Sequence, residues 1–209
     1  MAIPEPTLVT LLRHGEVAGR PHVFRGASDE PLTGRGQGQV LAVLAGLPEF
    51  KRIAASPLRR CRDVAAAAAA ARGLPLEVLP GLAEMRFGAW EGCTVEEAAA
   101  SHPEALAAFR GHADGAAAPG GETLGAFRQR VLAAWAAWLG DGQGGHRVLI
   151  SHAGVMRVLL QAVLDLPASS LYRVALPEAA HFQVSLLPGH APILLSLKPC
   201  ADSCSPFSS

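Results

Sequence analysis

Thr7-Leu8-Val9-Thr10-Leu11-Leu12-Arg13-His14-Gly15-Glu16 begins as a short apolar run rich in β-formers and ends abruptly in Arg-His-Gly. The apolar part reads as a buried strand. An arginine and a histidine at its tip, followed by glycine, suit a ligand site better than a core. Ligands of open α/β sheets bind just beyond the carboxyl ends of the strands. Taken alone, Arg13 and His14 read equally well as the first exposed residues after a strand.

Far along the chain, Arg147-Val148-Leu149-Ile150-Ser151-His152-Ala153-Gly154-Val155 repeats the device: an apolar strand, then histidine, then glycine, then a helical pattern. Two strands of one parallel sheet that each end in a histidine place both imidazoles at one edge. Two such histidines, one with an arginine beside it, point to an anion site containing a nucleophile or base.

The bulk properties narrow the setting. The chain has 209 residues, enough for one domain with a good core, and its formal net charge is zero. That gives no support for nucleic acid or a membrane surface as partner. No run of about 18 apolar residues occurs, so no transmembrane helix is expected. Met1-Ala2-Ile3-Pro4-Glu5-Pro6 lacks the basic and apolar regions of a signal peptide. Cys61, Cys93, Cys200 and Cys204 lack zinc-ligand spacing; the first two are expected reduced, in a cytoplasm. One domain over 1–198 is expected, with a disordered tail over 199–209 in which Cys200 and Cys204 carry no function.

Between the histidine strands, residues 16–32 read as a long loop carrying Arg25-Gly26. Thr33 is placed to cap a helix to about Ala45, weakened at its start by Gly34, Gly36 and Gly38. Lys51 to Ala55 reads as a strand. Ser56 then suits an N-cap and Pro57 the first helical position, with helix to Ala71 and a stop at Gly73. Arginines in that first turn oppose the helix dipole unless an anion sits there. Leu76 to Leu79 reads as a strand. Thr94-Val95-Glu96-Glu97 is a capping box, Pro103 starts a short helix to about Arg110, and Glu122-Thr123 starts one to Leu139. The stripe Phe127, Val131, Leu132, Trp135, Leu139 is core packing, with no cofactor role. Gly154 to Leu164 reads as a helix, and Ala180 to Leu187 with Ile193 to Leu197 as an antiparallel pair.

Leu12-Arg13-His14-Gly15-Glu16 and Ser151-His152-Ala153-Gly154 resemble the two histidine motifs of the histidine phosphatase superfamily, the phosphoglycerate mutase-like enzymes. The resemblance runs roughly from Leu8 to Leu195. It implies a three-layer α/β/α fold with a mostly parallel central sheet, helices on both faces and a helical lid over about 84–122. Ser56-Pro57-Leu58-Arg59-Arg60 resembles the family's Ser-x-Leu-x-Arg motif, whose arginine falls on Arg60. Glu84, before Gly88-Ala89-Trp90-Glu91-Gly92, falls on the proposed proton donor, and Leu82, Met85, Phe87 and Trp90 give it a half-buried wall. The family's loop closes over the phosphate, and Arg25 is the candidate for its ligand-contacting arginine. Gly15 and Ala153, inside the two motifs, are placed with Arg13 and Arg60 at the phosphate.

The implied chemistry is metal-free phosphomonoester hydrolysis without a cofactor. Arginines bind a phosphoryl group in bidentate fashion and neutralise its developing charge. They also favour a neutral, nucleophilic His14 near pH 7. Glu84 then serves as acid and base, and His152 donates to phosphoryl oxygens. The expected partner is a small phosphorylated metabolite; a homodimer stays open. A phosphoglycerate mutase is a rival reading, although Val17-Ala18-Gly19-Arg20 lacks the Trp-Asn such mutases carry. A non-catalytic phosphate-binding module is another. Arg25-Gly26 with Asp29-Glu30-Pro31-Leu32-Thr33 resembles the α-ribazole phosphatase type, which makes α-ribazole 5′-phosphate the named candidate substrate.

Overall fold

A computed structural model describes residues 5–140 and 144–200. Six strands form one sheet: β1 (Thr7–Arg13), β2 (Arg52–Ala55), β3 (Leu76–Val78), β4 (Gly145–Ser151), β5 (His181–Leu186) and β6 (Ile193–Lys198). Their order is β3-β2-β4-β1-β5-β6. The first four are parallel, and β5 and β6 add an antiparallel edge. Among the described residues six α-helices accompany them: α1 (Gly34–Ala45), α2 (Arg59–Ala70), α3 (Val95–Ser101), α4 (Pro103–Arg110), α5 (Leu124–Leu139) and α6 (Ala153–Leu164).

The period-2 alternation of buried strands sends residues to two cores. Val9 and Leu11 of β1 and Leu149 of β4 pack with Phe127, Val131, Val155 and Leu159 of α5 and α6. Leu12, Val148 and Ile150 pack on the other face with Val40 and Leu44 of α1 and Val64 and Ala68 of α2. The three-layer α/β/α arrangement follows. Because both faces are covered, the parallel strands read as continuous apolar runs.

The expected caps at Thr33 and Thr94 form, and Thr123 caps α5 as well: each hydroxyl accepts the backbone N–H of the third residue of its helix, and Thr94 with Glu97 closes a full capping box. Gly36 does not break α1. It is where the Gly15-Glu16 backbone crosses the helix so closely that a side chain at either glycine would collide with the other strand of backbone.

Three expectations are corrected. Ser56 does not cap α2; the helix begins at Arg59 with Leu58 as an uncapped flanking residue, and the Ser56 hydroxyl accepts from Leu58 N–H at 3.3 Å and from His152 Nε2 at 2.6 Å. The chain does not leave the domain at Pro199: Cys200 is buried in the core shared with α1 and α2. The rest of the expected tail, 201–209, lies outside the described residues. Within the excursion from 84 to 122, Glu84, Met85 and Phe87 line the cavity at the sheet edge but α3 and α4 do not, and Phe109 of α4 packs on Phe87 and Trp90 instead. Among the described residues, no helix is long and apolar enough to cross a membrane.

Candidate active site

Parallel pairing places Arg13 of β1 opposite Ser151 of β4, so His14 and His152 are the next residues beyond the sheet edge. Their ring centroids lie 5.4 Å apart, tilted edge to face. The chain is pinned on both sides of His14. Its N–H donates to the Ser151 carbonyl at 3.0 Å, and its carbonyl accepts from Ala179 N–H at 3.0 Å. A cavity of about 820 Å³ opens here, lined by Arg13, His14, Arg25, Glu84 and Ala153 among others.

His14 Nδ1 lies 2.8 Å from the Gly15 carbonyl. A carbonyl only accepts, so Nδ1 carries the proton and Nε2 keeps its lone pair. Burial, and then the Arg13 and Arg60 guanidiniums, hold this imidazole well below the ordinary histidine range. Gly15 thus acts through its carbonyl, as the orienting group for the ring. Arg13 donates from one terminal nitrogen to the Leu176 carbonyl at 2.6 Å, which fixes its direction along the cavity wall.

The second histidine is deeper. His152 is fully buried and does not line the cavity. Arg60 Nε donates to its Nδ1 at 3.3 Å. An arginine cannot accept, so the remaining proton is on Nε2, which donates to Ser56 Oγ at 2.6 Å. Burial, then Arg60, hold His152 well below the usual range too. Arg60 was expected in the phosphate cradle, but its guanidinium faces the loop: it donates to the Ser28 carbonyl at 2.6 Å and the Gly26 carbonyl at 2.8 Å. The anion foreseen at the start of α2 is supplied by the chain itself, because Asp29 Oδ1 accepts from Arg59 N–H at 2.7 Å. Arg25 lines the cavity, yet its guanidinium braces its own loop, donating to the Arg20 carbonyl at 2.8 Å with Glu30 3.6 Å away.

Glu84 is buried at the cavity wall, and both carboxyl oxygens take backbone N–H groups: Oε1 from Met85 at 3.0 Å and Oε2 from Gly154 at 3.0 Å. A Cβ at Gly154 would push the Glu84 carboxyl out of this position. Glu91 stands apart as a loop tie. Its carboxylate accepts from Gly26, Ala27 and Phe87 N–H, each at 2.9 Å.

Several lining residues escape sequence reading. Arg157 follows Ala153 by one helical turn on α6, and that spacing was the available signal. Its guanidinium lies 5.2 Å from the Tyr172 ring centroid. Tyr172, Leu171 and Glu178 come from an aperiodic segment that gives no signal. Phe24, Phe87 and Phe127 line the same cavity, beside charged and polar groups that include Arg35, Gln39, Arg157 and Glu178.

The two depressed histidines predict a pH-dependent stability. Below about pH 6.5 the unfolded chain binds protons at these positions that the fold refuses, so stability is lost as pH falls from there. The expected slope is about 1.4 kcal/mol per pH unit for each histidine, until its folded value is reached. Urea unfolding at pH 7.5 and 5.5 checks this against His14→Asn, which keeps a donor for the Gly15 carbonyl. The variant should lose less stability over that interval; equal losses would contradict the charge state assigned to His14.

Sequence and structure comparisons agree on the family and the fold. The family model for the histidine phosphatase superfamily (branch 1) matches residues 9–196. The chain is 30% identical over 184 residues to the adenosylcobalamin/alpha-ribazole phosphatase of Salmonella typhimurium, covering 87% of this chain and 91% of that one. Its fold matches the crystal structure of the alpha-ribazole phosphatase from Shigella flexneri with a TM-score of 0.76 at 26% identity, over 86% of this chain and 94% of that chain. It also matches mycobacterial glucosyl-3-phosphoglycerate phosphatase with a TM-score of 0.75 at 25% identity, over 93% and 100% of the two chains.

Proposed function

The chain belongs to the histidine phosphatase superfamily and is a phosphatase or phosphoryl-transfer enzyme, and on that premise we propose that it hydrolyses a small phosphomonoester with an apolar, ring-bearing alcohol, α-ribazole 5′-phosphate being the named candidate. The observation that carries the hydrolytic reading is His14: a neutral ring at the cavity, its Nδ1 committed to the Gly15 carbonyl and Nε2 left to attack.

In the proposed reaction Nε2 of His14 bonds to phosphorus as the phosphorus–oxygen bond to the alcohol breaks. Glu84 gives its proton to the departing oxygen. Water then attacks the phosphohistidine, Glu84 takes a proton from it, the phosphorus–nitrogen bond breaks, and inorganic phosphate leaves with His14 and Glu84 restored. Arg13 pairs with the phosphoryl oxygens and offsets their growing charge. His152 serves as a further donor to those oxygens by turning its Nε2–H away from Ser56. Arg60 holds His152 and the 25–28 loop, and its charge acts on the nearby His14 ring.

Cavity size favours this substrate class. A phosphoryl group fills a small part of about 820 Å³, and the remainder is lined by Phe24, Phe87, Phe127, Leu171 and Tyr172 together with polar groups such as Arg35, Gln39 and Arg157. A planar ring gains there by burial and stacking; a phosphoglycerate has no apolar part to place. The proposal includes independence from metal. Guanidiniums supply the positive charge, and among the described residues no three histidine, cysteine or acidic side chains converge on a metal position.

The test is a phosphomonoester panel containing α-ribazole 5′-phosphate and both phosphoglycerates, run before and after exhaustive chelation. Release of phosphate from the ring-bearing ester at a kcat/KM at least about 10-fold above either phosphoglycerate is expected, since about 1.4 kcal/mol of ring burial suffices. Chelation should change nothing. Interconversion of the phosphoglycerates without phosphate release would make the protein a mutase. A large loss on chelation, restored by one divalent ion, would remove the metal-free mechanism.

A further inference from the structure

Arg130 lies on α5, behind the cavity wall, and all five of its guanidinium N–H donors are used on one segment and the residue that braces it. NH1 donates to the carbonyls of Gly81 at 2.9 Å and Ala83 at 2.8 Å. NH2 donates to the carbonyl of Glu84 itself at 3.0 Å. The remaining two form a bidentate pair with the Glu122 carboxylate, at 2.7 and 2.8 Å. Glu122 is buried, and its own N–H donates to the Arg86 carbonyl at 2.9 Å. The backbone on both sides of Glu84 is therefore tied to one ion pair, while the Glu84 side chain is tied to α6 through Gly154.

Such a device exceeds what holding a short loop requires. A guanidinium fork fixes direction as well as distance, and a bidentate carboxylate removes its remaining freedom. The one side chain in the clamped segment that reaches the cavity with a transferable proton is Glu84. We infer that Arg130 and Glu122 are positioning residues for Glu84, setting the 81–86 backbone so that the carboxyl meets the leaving oxygen at the cavity wall. The inference rests on the acid role proposed above for Glu84. Reactions of this kind are steep in distance: a displacement of about 1 Å can cost about 100-fold in rate.

The experiment uses the full chain with Arg130→Met, Arg130→Lys and Glu122→Gln, each alone and combined with Glu84→Gln. Single-turnover phosphoryl transfer is measured on an alkyl phosphate and on p-nitrophenyl phosphate, with KM and melting temperature recorded for every variant. Arg130→Met should lose about 10- to 100-fold on the alkyl ester and little on the aryl ester, which departs without a proton. KM should stay nearly constant, and Arg130→Lys should recover part of the loss. In the Glu84→Gln background, Arg130→Met should cost the alkyl reaction nothing more, because its effect runs through that carboxyl. Equal losses on both esters, or a full extra loss on top of Glu84→Gln, would overturn the inference and leave the pair as structural support. Should Arg130→Met fail to fold, Glu122→Gln and Arg130→Lys decide by the same two comparisons. A wild-type protein that transfers no phosphoryl group to His14 overturns the proposed function itself. A wild type that does, with Glu84→Gln selective for alkyl esters and the Arg130 variants unselective, overturns this inference alone.

Discussion

His14→Ala is expected to lower turnover by about 10⁴-fold or more and to leave no phosphoprotein after a rapid quench. The size follows from what is removed: covalent catalysis replaces one difficult displacement with two easier ones, and no neighbouring group can take over the attack. His152 lies 5.4 Å away between ring centres, but its Nδ1 is occupied by Arg60 and its Nε2 carries the proton directed at Ser56. Cys61, whose sulfur lies 3.7 Å from Nε2 of that ring, is buried and its thiol is held protonated, with burial the main cause. Because a substitution in a buried place can also disturb the fold, His14→Asn is the companion. Its amide can still donate to the Gly15 carbonyl, so it should melt close to wild type while remaining as inactive as the alanine variant. The phosphoprotein should be stable in base and labile in acid, as a phosphohistidine is. Appreciable turnover in both variants, or a labelled protein with His14 removed, would falsify the nucleophile assignment.

How much of this was legible in the chain differs by element, for physical reasons. The strands that carry His14 and His152 are buried on both faces, so nothing but their apolar runs was needed to find them. Threonine caps declare themselves locally, and Thr33 and Thr94 cap as read. Ser56 shows the limit of that reasoning. A Ser-Pro pair before an alanine run satisfies every local rule for a helix start, but the hydroxyl is drawn to His152, 96 residues away in the chain, and the helix starts later. Arg60 and Arg25 illustrate the same limit for charge. Their positions in sequence mark them as belonging to the site, while the carbonyls that capture their guanidiniums belong to loops whose path sequence does not disclose. The aromatic residues of the cavity are Tyr172 and phenylalanines from three separate segments, a convergence that only tertiary packing creates. Cys200 was read as part of a polar tail because its neighbours are small and polar; burial of a single thiol against α1 and α2 leaves no periodic mark.

Glu84→Gln is expected to slow hydrolysis of alkyl phosphates by roughly 100-fold or more, the usual range for one acid–base group, and to slow phosphoryl transfer from p-nitrophenyl phosphate far less. An alkoxide is a poor leaving group and must receive a proton as it departs, whereas a nitrophenolate is stable enough to leave without one. Glutamine keeps the volume and the polarity of the side chain but has no proton to transfer. It also cannot accept both N–H groups that Glu84 accepts, from Met85 and Gly154. One of those bonds is lost, at a cost of about 1 kcal/mol in stability, so some fall in melting temperature is expected whatever the carboxyl does in catalysis. Leaving-group dependence separates the two effects, since a loosened wall would penalise both esters alike. Single-turnover measurements with both substrates supply the comparison, with dephosphorylation followed separately, because there the same group must take a proton from water and both substrates pass through the same intermediate. The alkyl-to-aryl rate ratio should fall by about two orders of magnitude in the first step and be unchanged in the second. An unchanged ratio in the first step would return Glu84 to the role of a buried hydrogen-bond acceptor joining the 81–86 segment to α6.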